Sequence, residues 1–330
     1  MPYITTIHKF TKEINENFIF EKHPKIAVAV SGGPDSLALT LLSKAWLDSI
    51  GGTVICLTVN HNLRKEAQAE ALYTKNLCKK YDIEHHILYW QGTTRLSNIQ
   101  KQAREARRDL LTDWCKKHNI KYLFLAHTED DLVETFFIRL FRGSGTQGLS
   151  SIAALSYYND INIVRPLLSF KKEELEHYLT IQNIEWIKDP SNYNNQFLRT
   201  KIRKLLRSEE MQDIMPYNLL LDRCTKGITS IQNVNHLIEE QKTKILSEIT
   251  KTHPEGYITI ELEQFTKLPT ELALNILASC LMQISGKYYR PRFNSLQNLY
   301  KRLILKEQKT TTLWSCKVKI RKNFIYICSE

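Results

Sequence analysis

Three groups of residues in this chain have types and spacings that handle phosphate. The first is Ser31-Gly32-Gly33-Pro34-Asp35-Ser36. Paired glycines open backbone dihedrals closed to other residues and let a ligand approach closely. Pro34 suits the first turn of a helix. Free N–H groups at that helix start, with the Ser31 and Ser36 hydroxyls, cradle phosphate oxygens. Asp35 would repel phosphates unless a cation bridges them, which calls for a divalent metal, Mg2+ first. The second group runs from His127 to Thr135 and places Asp130, Asp131 and Glu134 in the first turn of a helix, with Asp131 and Glu134 on one face. Alone, these acids read better as stabilisers of a helix start, with Thr128 and Asp131 as a capping pair. Beside a phosphate loop they become candidate ligands. The third group is Arg104, Arg107 and Arg108, which suit either phosphate contacts or a solvated helix face.

The elements that must position these residues are legible from hydrophobic pattern. Ile26 to Val30 is a short β-branched run that reads as a buried parallel strand feeding the glycine loop, and Leu37 to Leu42 begins the following helix. Strands follow at 53–60, 85–90, 121–126 and 161–165, separated by helices near 65–81, 97–118 and 129–142. The alternation predicts an α/β fold: a parallel five-stranded sheet with helices on both faces, joined to a smaller α+β C-terminal domain. Ligands in such sheets bind beyond the carboxyl ends of the strands. The unusual residues lie there, Asn60-His61-Asn62-Leu63-Arg64 after the second strand and His127 onward after the fourth.

The chain has 330 residues, enough for two domains, and a net charge of +11, which favours a polyanionic partner such as nucleic acid. Its seven cysteines are dispersed with no Cys-x-x-Cys pair, so no zinc knuckle or iron–sulfur motif is written, and reduced thiols in a cytosol fit best. No apolar run approaches the roughly 20 residues of a membrane span. Met1 to Phe20 lacks the apolar core of a signal peptide. The expectation is a cytoplasmic protein with no membrane partner.

Ser-Gly-Gly-x-Asp-Ser after a strand resembles the pyrophosphate loop of the N-type ATP pyrophosphatases, which cleave ATP to AMP and pyrophosphate. The wider set narrows the resemblance. His61-x-Leu63-Arg64, Ala103-Arg104 to Arg107, Ala126-His127-x-x-Asp130-Asp131-x-x-Glu134-Thr135, Arg142-Gly143-x-Gly145 and Asp189-x-Ser191-Asn192, with Arg199 and Arg203 beyond, occur in the order seen in the tRNA(Ile)-lysidine synthases. The resemblance covers about the first 205 residues. It implies ATP as nucleotide with Mg2+ held by Asp35 and Asp131. Ser31, Gly32, Gly33, Pro34, Asp35, Ser36, Asn60 and His127 would contact the nucleotide. Asp35, Asp131, Glu134, Arg104 and Arg107 would be catalytic, and Arg142, Asn192, Arg199 and Arg203 would face the RNA. The acids would bind either Mg2+ or the ammonium group of a lysine substrate. The implied partners are free L-lysine and the isoleucine tRNA with a CAU anticodon, and a homodimer is compatible with the chain. Two positions depart from the family pattern: Asn60 stands where Asp is expected, and Thr200 where Asn is expected.

Turn-forming residues around Pro216 place a linker at 206–218, and the resemblance implies a catalytic domain at 1–205 before it and a tRNA-recognition domain at 219–330 after it. In the latter, Lys287-Tyr288-Tyr289-Arg290 mixes basic and aromatic residues as an RNA surface does. Gly143 to Gly148 matches a dinucleotide fingerprint in letters but follows a helix, so it reads as a mobile loop closing over the site or touching RNA. His85 and His86 alternate across a strand and cannot share a metal ion. Other readings are a tRNA thiolase or an amidating synthetase with the same loop, or a catalytically inactive tRNA-binding protein, for which Asn60 is the only support.

Overall fold

The computed structural model describes residues 2–60, 67–90, 99–187 and 198–330. The chain forms two compact units, residues 1–135 with 152–225, and residues 136–151 with 226–330. The division falls inside a long helix, beyond the stretch where turn-forming residues place a linker.

The first unit opens with α1 (Pro2–Asn17), then β1 (Lys25–Ala29), α2 (Pro34–Ile50), β2 (Thr53–Asn60), α3 (Ala67–Lys80), β3 (Glu84–Tyr89), α4 (Ile99–Lys117), β4 (Tyr122–Phe124) and the start of α5 (Glu129–Phe141). After a short α6 (Thr146–Leu149), the chain returns as β5 (Leu155–Tyr158), β6 (Ile161–Val164), α7 (Lys172–Ile181), α8 (Leu198–Leu206), α9 (Glu209–Ile214) and the first turns of α10 (Tyr217–Ile249). The strand order is β3-β2-β1-β4-β6-β5. Five strands are parallel, as expected, and β5 adds a sixth, antiparallel to β6 at the edge.

Alternation along β1 divides the core into two layers. Ile26, Val28 and Val30 pack with Phe10, Leu42, Trp46 and Tyr178, from α1, α2 and α7. Ala27 and Ala29 face the other way, with Leu111 and Cys115 of α4. Small residues on that side bring α4 close to the sheet. Because β2 lies on one side of β1 and β4 on the other, the chain reverses direction across the sheet between β1 and β4, and a crevice opens beyond their carboxyl ends. The glycine loop leaves β1 at that crevice, and Thr128 to Glu134 leave β4 at the same place. Among the described residues no helix is long and apolar enough to cross a membrane.

In the second unit the rest of α10 leads to β7 (Thr250–His253), β8 (Tyr257–Glu261), α11 (Leu262–Lys267), α12 (Thr270–Ser285), α13 (Phe293–Ile304), β9 (Thr311–Leu313), β10 (Cys316–Arg321) and β11 (Phe324–Ser329). Its sheet is antiparallel, ordered β7-β8-β11-β10-β9. Ile258, Ile260, Val318, Ile320, Ile325 and Ile327 face α12 and α13 across one core. The segment expected to be a mobile loop is instead a helical turn fixed within this unit. Arg139 donates to the carbonyls of Gly148 and Ser151, Asn235 to that of Thr146, and Gln232 to that of Ser150.

Candidate active site

The loop after β1 is held by its own serines. The Ser36 hydroxyl donates to the Gly33 carbonyl at 3.0 Å and accepts from the Ser31 N–H at 3.1 Å, with the two hydroxyls 3.3 Å apart. The two glycines answer different demands. Gly32 has φ +83°, and a Cβ there would lie 2.4 Å from Ile187 Cδ1, so the fold itself requires glycine. Gly33 is the N-cap of α2 with an ordinary φ of −75°, and a Cβ would meet nothing closer than Ser31 Oγ at 3.8 Å. The fold does not require that glycine. An open cradle beside the start of a 17-residue helix fits a phosphate approaching the backbone.

Asp35 follows in the first turn of α2. Its Oδ1 is buried with no hydrogen-bond partner among the described residues. Burial pushes this carboxyl up to about 7, against the opposing pull of Lys172. A half-satisfied buried carboxylate at a phosphate cradle fits a metal ligand. Among the described residues no three His, Cys, Asp or Glu side chains group to hold a metal by themselves. Two carboxylates suffice for Mg2+ when phosphate oxygens complete its shell.

Across the crevice, Thr128 caps α5. Its N–H and hydroxyl both lie within hydrogen-bond reach of Asp131 Oδ2, at 3.1 and 3.2 Å. The capping and ligand readings of Asp131 are therefore compatible, since the cap uses Oδ2 and leaves Oδ1 to the crevice. Burial would raise the Asp131 carboxyl, but Lys172 and Arg199 outweigh it and hold the group well below the ordinary carboxylate range.

The neighbouring acids are committed elsewhere. Asp130 Oδ1 accepts from Tyr217 Oη at 2.8 Å and Arg207 Nη2 at 3.0 Å, while Oδ2 accepts the Lys172 backbone N–H at 3.1 Å. Glu134, only 1 % exposed, accepts two bonds from Arg203, at 2.6 and 3.2 Å, and lies 3.2 Å from Arg199 Nε. Arg199 also donates to the Thr135 hydroxyl at 2.7 Å. Arg199 and Arg203, expected to face RNA, thus tie α8 to α5, with about a third of each side chain still exposed.

The other expected site residues fall as follows. His127 sits at the crevice, and burial lowers it to about 3, aided by Arg165, Arg199 and Arg104 against the pull of Asp131. It is a neutral imidazole whose buried Nδ1 has no hydrogen-bond partner among the described residues. Asn60 is buried at the end of β2, where its carbonyl accepts the Trp90 N–H at 3.0 Å. Arg104 and Arg107 are exposed on α4. Arg142 is exposed in the second unit. Asn192 and the His61–Arg64 segment lie outside the described residues. His85 bonds the Thr58 hydroxyl on one side of β3, and His86 bonds Glu84 and rests against Trp114 on the other, so they do not share an ion.

Sequence reasoning missed Lys172. Its Nζ lies 3.3 Å from Asp131 Oδ1 and 3.8 Å from Asp35 Oδ2. A signal was available: Lys171-Lys172 opens α7, and a helix start is where positive charge is least favoured.

Comparisons with known proteins bear on the family. A family model described as a PP-loop domain matches residues 3–210. The tRNA(Ile)-lysidine synthase of Wolbachia pipientis wMel is 38% identical over 324 residues, 97% of this chain and 74% of that protein. That of Orientia tsutsugamushi is 38% identical over 315 residues, 94% and 71% of the two chains. Among solved structures, the U34-tRNA thiolase NcsA from Methanococcus maripaludis superposes with a TM-score of 0.58 at 17% identity, over 69% of this chain and 80% of that one. This last likeness is one of fold alone. The likeness to the synthases extends well past the nucleotide-binding unit into the second, and on that ground the chain belongs to the tRNA(Ile)-lysidine synthase family of PP-loop enzymes.

Proposed function

We propose that this protein ligates lysine to carbon 2 of the wobble cytidine in the isoleucine tRNA with a CAU anticodon, using ATP. The observation that carries this reading is the convergence of a phosphate cradle and two carboxylates, Asp35 and Asp131, in one crevice of a chain with synthase relatives over nearly its whole length. In this reading the ATP phosphates lie against the Ser31–Ser36 backbone and the α2 start. The cytidine carbon-2 oxygen attacks the α-phosphorus and pyrophosphate leaves. The lysine side-chain amine then attacks carbon 2, AMP departs with the oxygen, and a proton is lost from the nitrogen. Adenylation converts a poor leaving group into a good one, and position and charge supply most of the acceleration.

Mg2+, when bound, would neutralise phosphate charge, with Asp35 and Asp131 as the residues to hold it. His127, being neutral, can contact the nucleotide without adding charge. Arg104 and Arg107 remain candidates for phosphate contact from α4. We read Glu134 as a positioning residue that fixes Arg203 and Arg199, which keep exposed surface for RNA phosphate. The thiolase alternative gains nothing from the cysteines: all seven are free, and five are buried.

Multiple-turnover pyrophosphate release from ATP and Mg2+ should require both lysine and the CAU-anticodon tRNA, with labelled lysine entering the RNA. Release that ignores lysine and follows ammonia or a sulfur donor would overturn the assignment. The two glycines give a separate expectation. Gly33→Ala should keep the parent melting temperature but weaken binding of a non-hydrolysable ATP analogue about tenfold or more. Gly32→Ala should lose both, destabilised by about 1–2 kcal/mol from its φ alone. Thermal unfolding with and without the analogue reads both effects.

A further inference from the structure

Lys172 occupies the place that the metal would need. Its ammonium sits between Asp35 and Asp131, and its side chain is one-fifth exposed. A divalent cation on those same oxygens would meet that ammonium at contact range, and the two charges cannot share the gap.

The arrangement differs from a structural ion pair. Asp130 and Glu134 show what such pairs look like here, with short bonds to Tyr217, Arg207 and Arg203. The Lys172 contacts are looser, 3.3 and 3.8 Å, and Asp35 Oδ1 is left buried without a partner among the described residues. The cation is also a lysine, a point charge on a flexible stem that can swing to a new anion, where a guanidinium fork would be fixed in one geometry. Its backbone is anchored: the Lys172 N–H bonds Asp130, and the Lys171 N–H bonds Glu174 at 2.8 Å. Only the side chain is free to reorient.

We propose that Lys172 is a resident counter-ion that keeps the Asp35–Asp131 pair closed to divalent metal until the nucleotide arrives, then moves to the phosphate oxygens and yields its place. Metal and nucleotide binding are thereby coupled, each raising the affinity for the other. This rests on the reading above that the pair holds Mg2+ together with ATP.

The test uses Mn2+ as a spectroscopic stand-in for Mg2+, with free ion measured by electron paramagnetic resonance at low ionic strength. The whole chain is titrated without nucleotide and with α,β-methylene-ATP. The wild type should bind one protein-held Mn2+ only with the analogue present, beyond what the analogue binds by itself. Lys172→Met should bind one Mn2+ without nucleotide, at least about tenfold more tightly than the wild type. Adding Asp35→Asn should abolish that site. Lys172→Gln, which keeps length and polarity, must behave as Lys172→Met does, so poor folding of one variant does not decide the matter. Nucleotide-free affinities equal to the wild type in both variants would overturn the counter-ion role while leaving the metal pair intact. Absence of protein-held Mn2+ in the wild type even with the analogue would overturn the metal reading, and this proposal with it.

Discussion

Asp35→Asn yields a chain that melts higher than the parent at pH 8, by about 2–4 °C, and releases pyrophosphate about a hundred- to a thousandfold more slowly. Burial raises the Asp35 carboxyl from its ordinary 3.8 to about 7 in the folded protein. Between those values the folded state holds a proton that the unfolded state has lost, so stability falls as pH rises through that window. At pH 8 the parent carries the full penalty of an ionised, under-solvated carboxylate. The side chain is about one-fifth exposed, so the penalty is discounted to roughly 2 kcal/mol. Asparagine removes the charge and keeps the shape. Urea unfolding of the ligand-free protein at pH 5.5 and pH 8 should show the parent losing stability with pH and the variant gaining on it. A variant less stable than the parent at pH 8 would mean that Lys172 needs Asp35 more than burial penalises it.

Glu134→Ala acts in the opposite sense and should destabilise the first unit. It strips two guanidinium groups of the carboxylate that joins α8 to α5. Removing one partner of an enclosed ion pair costs about 3–5 kcal/mol. Arg199 and Arg203 keep partial exposure and can recover some hydration, so the expected loss is about 2–3 kcal/mol. Glu134→Gln, which keeps an acceptor, should lose about half as much. A double-mutant cycle with Arg203→Ala by chemical denaturation isolates the coupling. A coupling below about 0.5 kcal/mol would show that the pair is incidental.

Much of this was legible in the sequence because it is local. The β-branched run before Ser31, the glycine loop and the acidic start of α5 announce themselves by spacing, and the parallel sheet follows from strand–helix alternation. The family resemblance added the expected roles. What escaped reading was set by partners far along the chain or by weak patterns. β7 is Thr-Lys-Thr-His, with no apolar run to mark it, and β5 is an edge strand of four residues. Tyr217 stands after Pro216, where it signals a boundary, yet its hydroxyl completes Asp130. Arg199 and Arg203 read as an RNA-facing helix because nothing near them in sequence reveals Glu134. Lys172 belongs to no motif, and its anomaly shows only once the helix start is located.

The ion pairs and hydrogen bonds around the crevice have a bearing on how the chain folds. They join residues 41, 69, 77 and 87 positions apart, with the second unit's 136–151 segment emerging in between. Contacts of such long sequence separation carry a loop-closure cost that packing must offset. The crevice is complete only when these distant parts of the chain have come together, so half-folded chains present no complete nucleotide site. Ligand-induced protection then registers completed molecules alone. In a cell, ATP would stabilise finished copies against proteolysis and leave unfinished ones exposed.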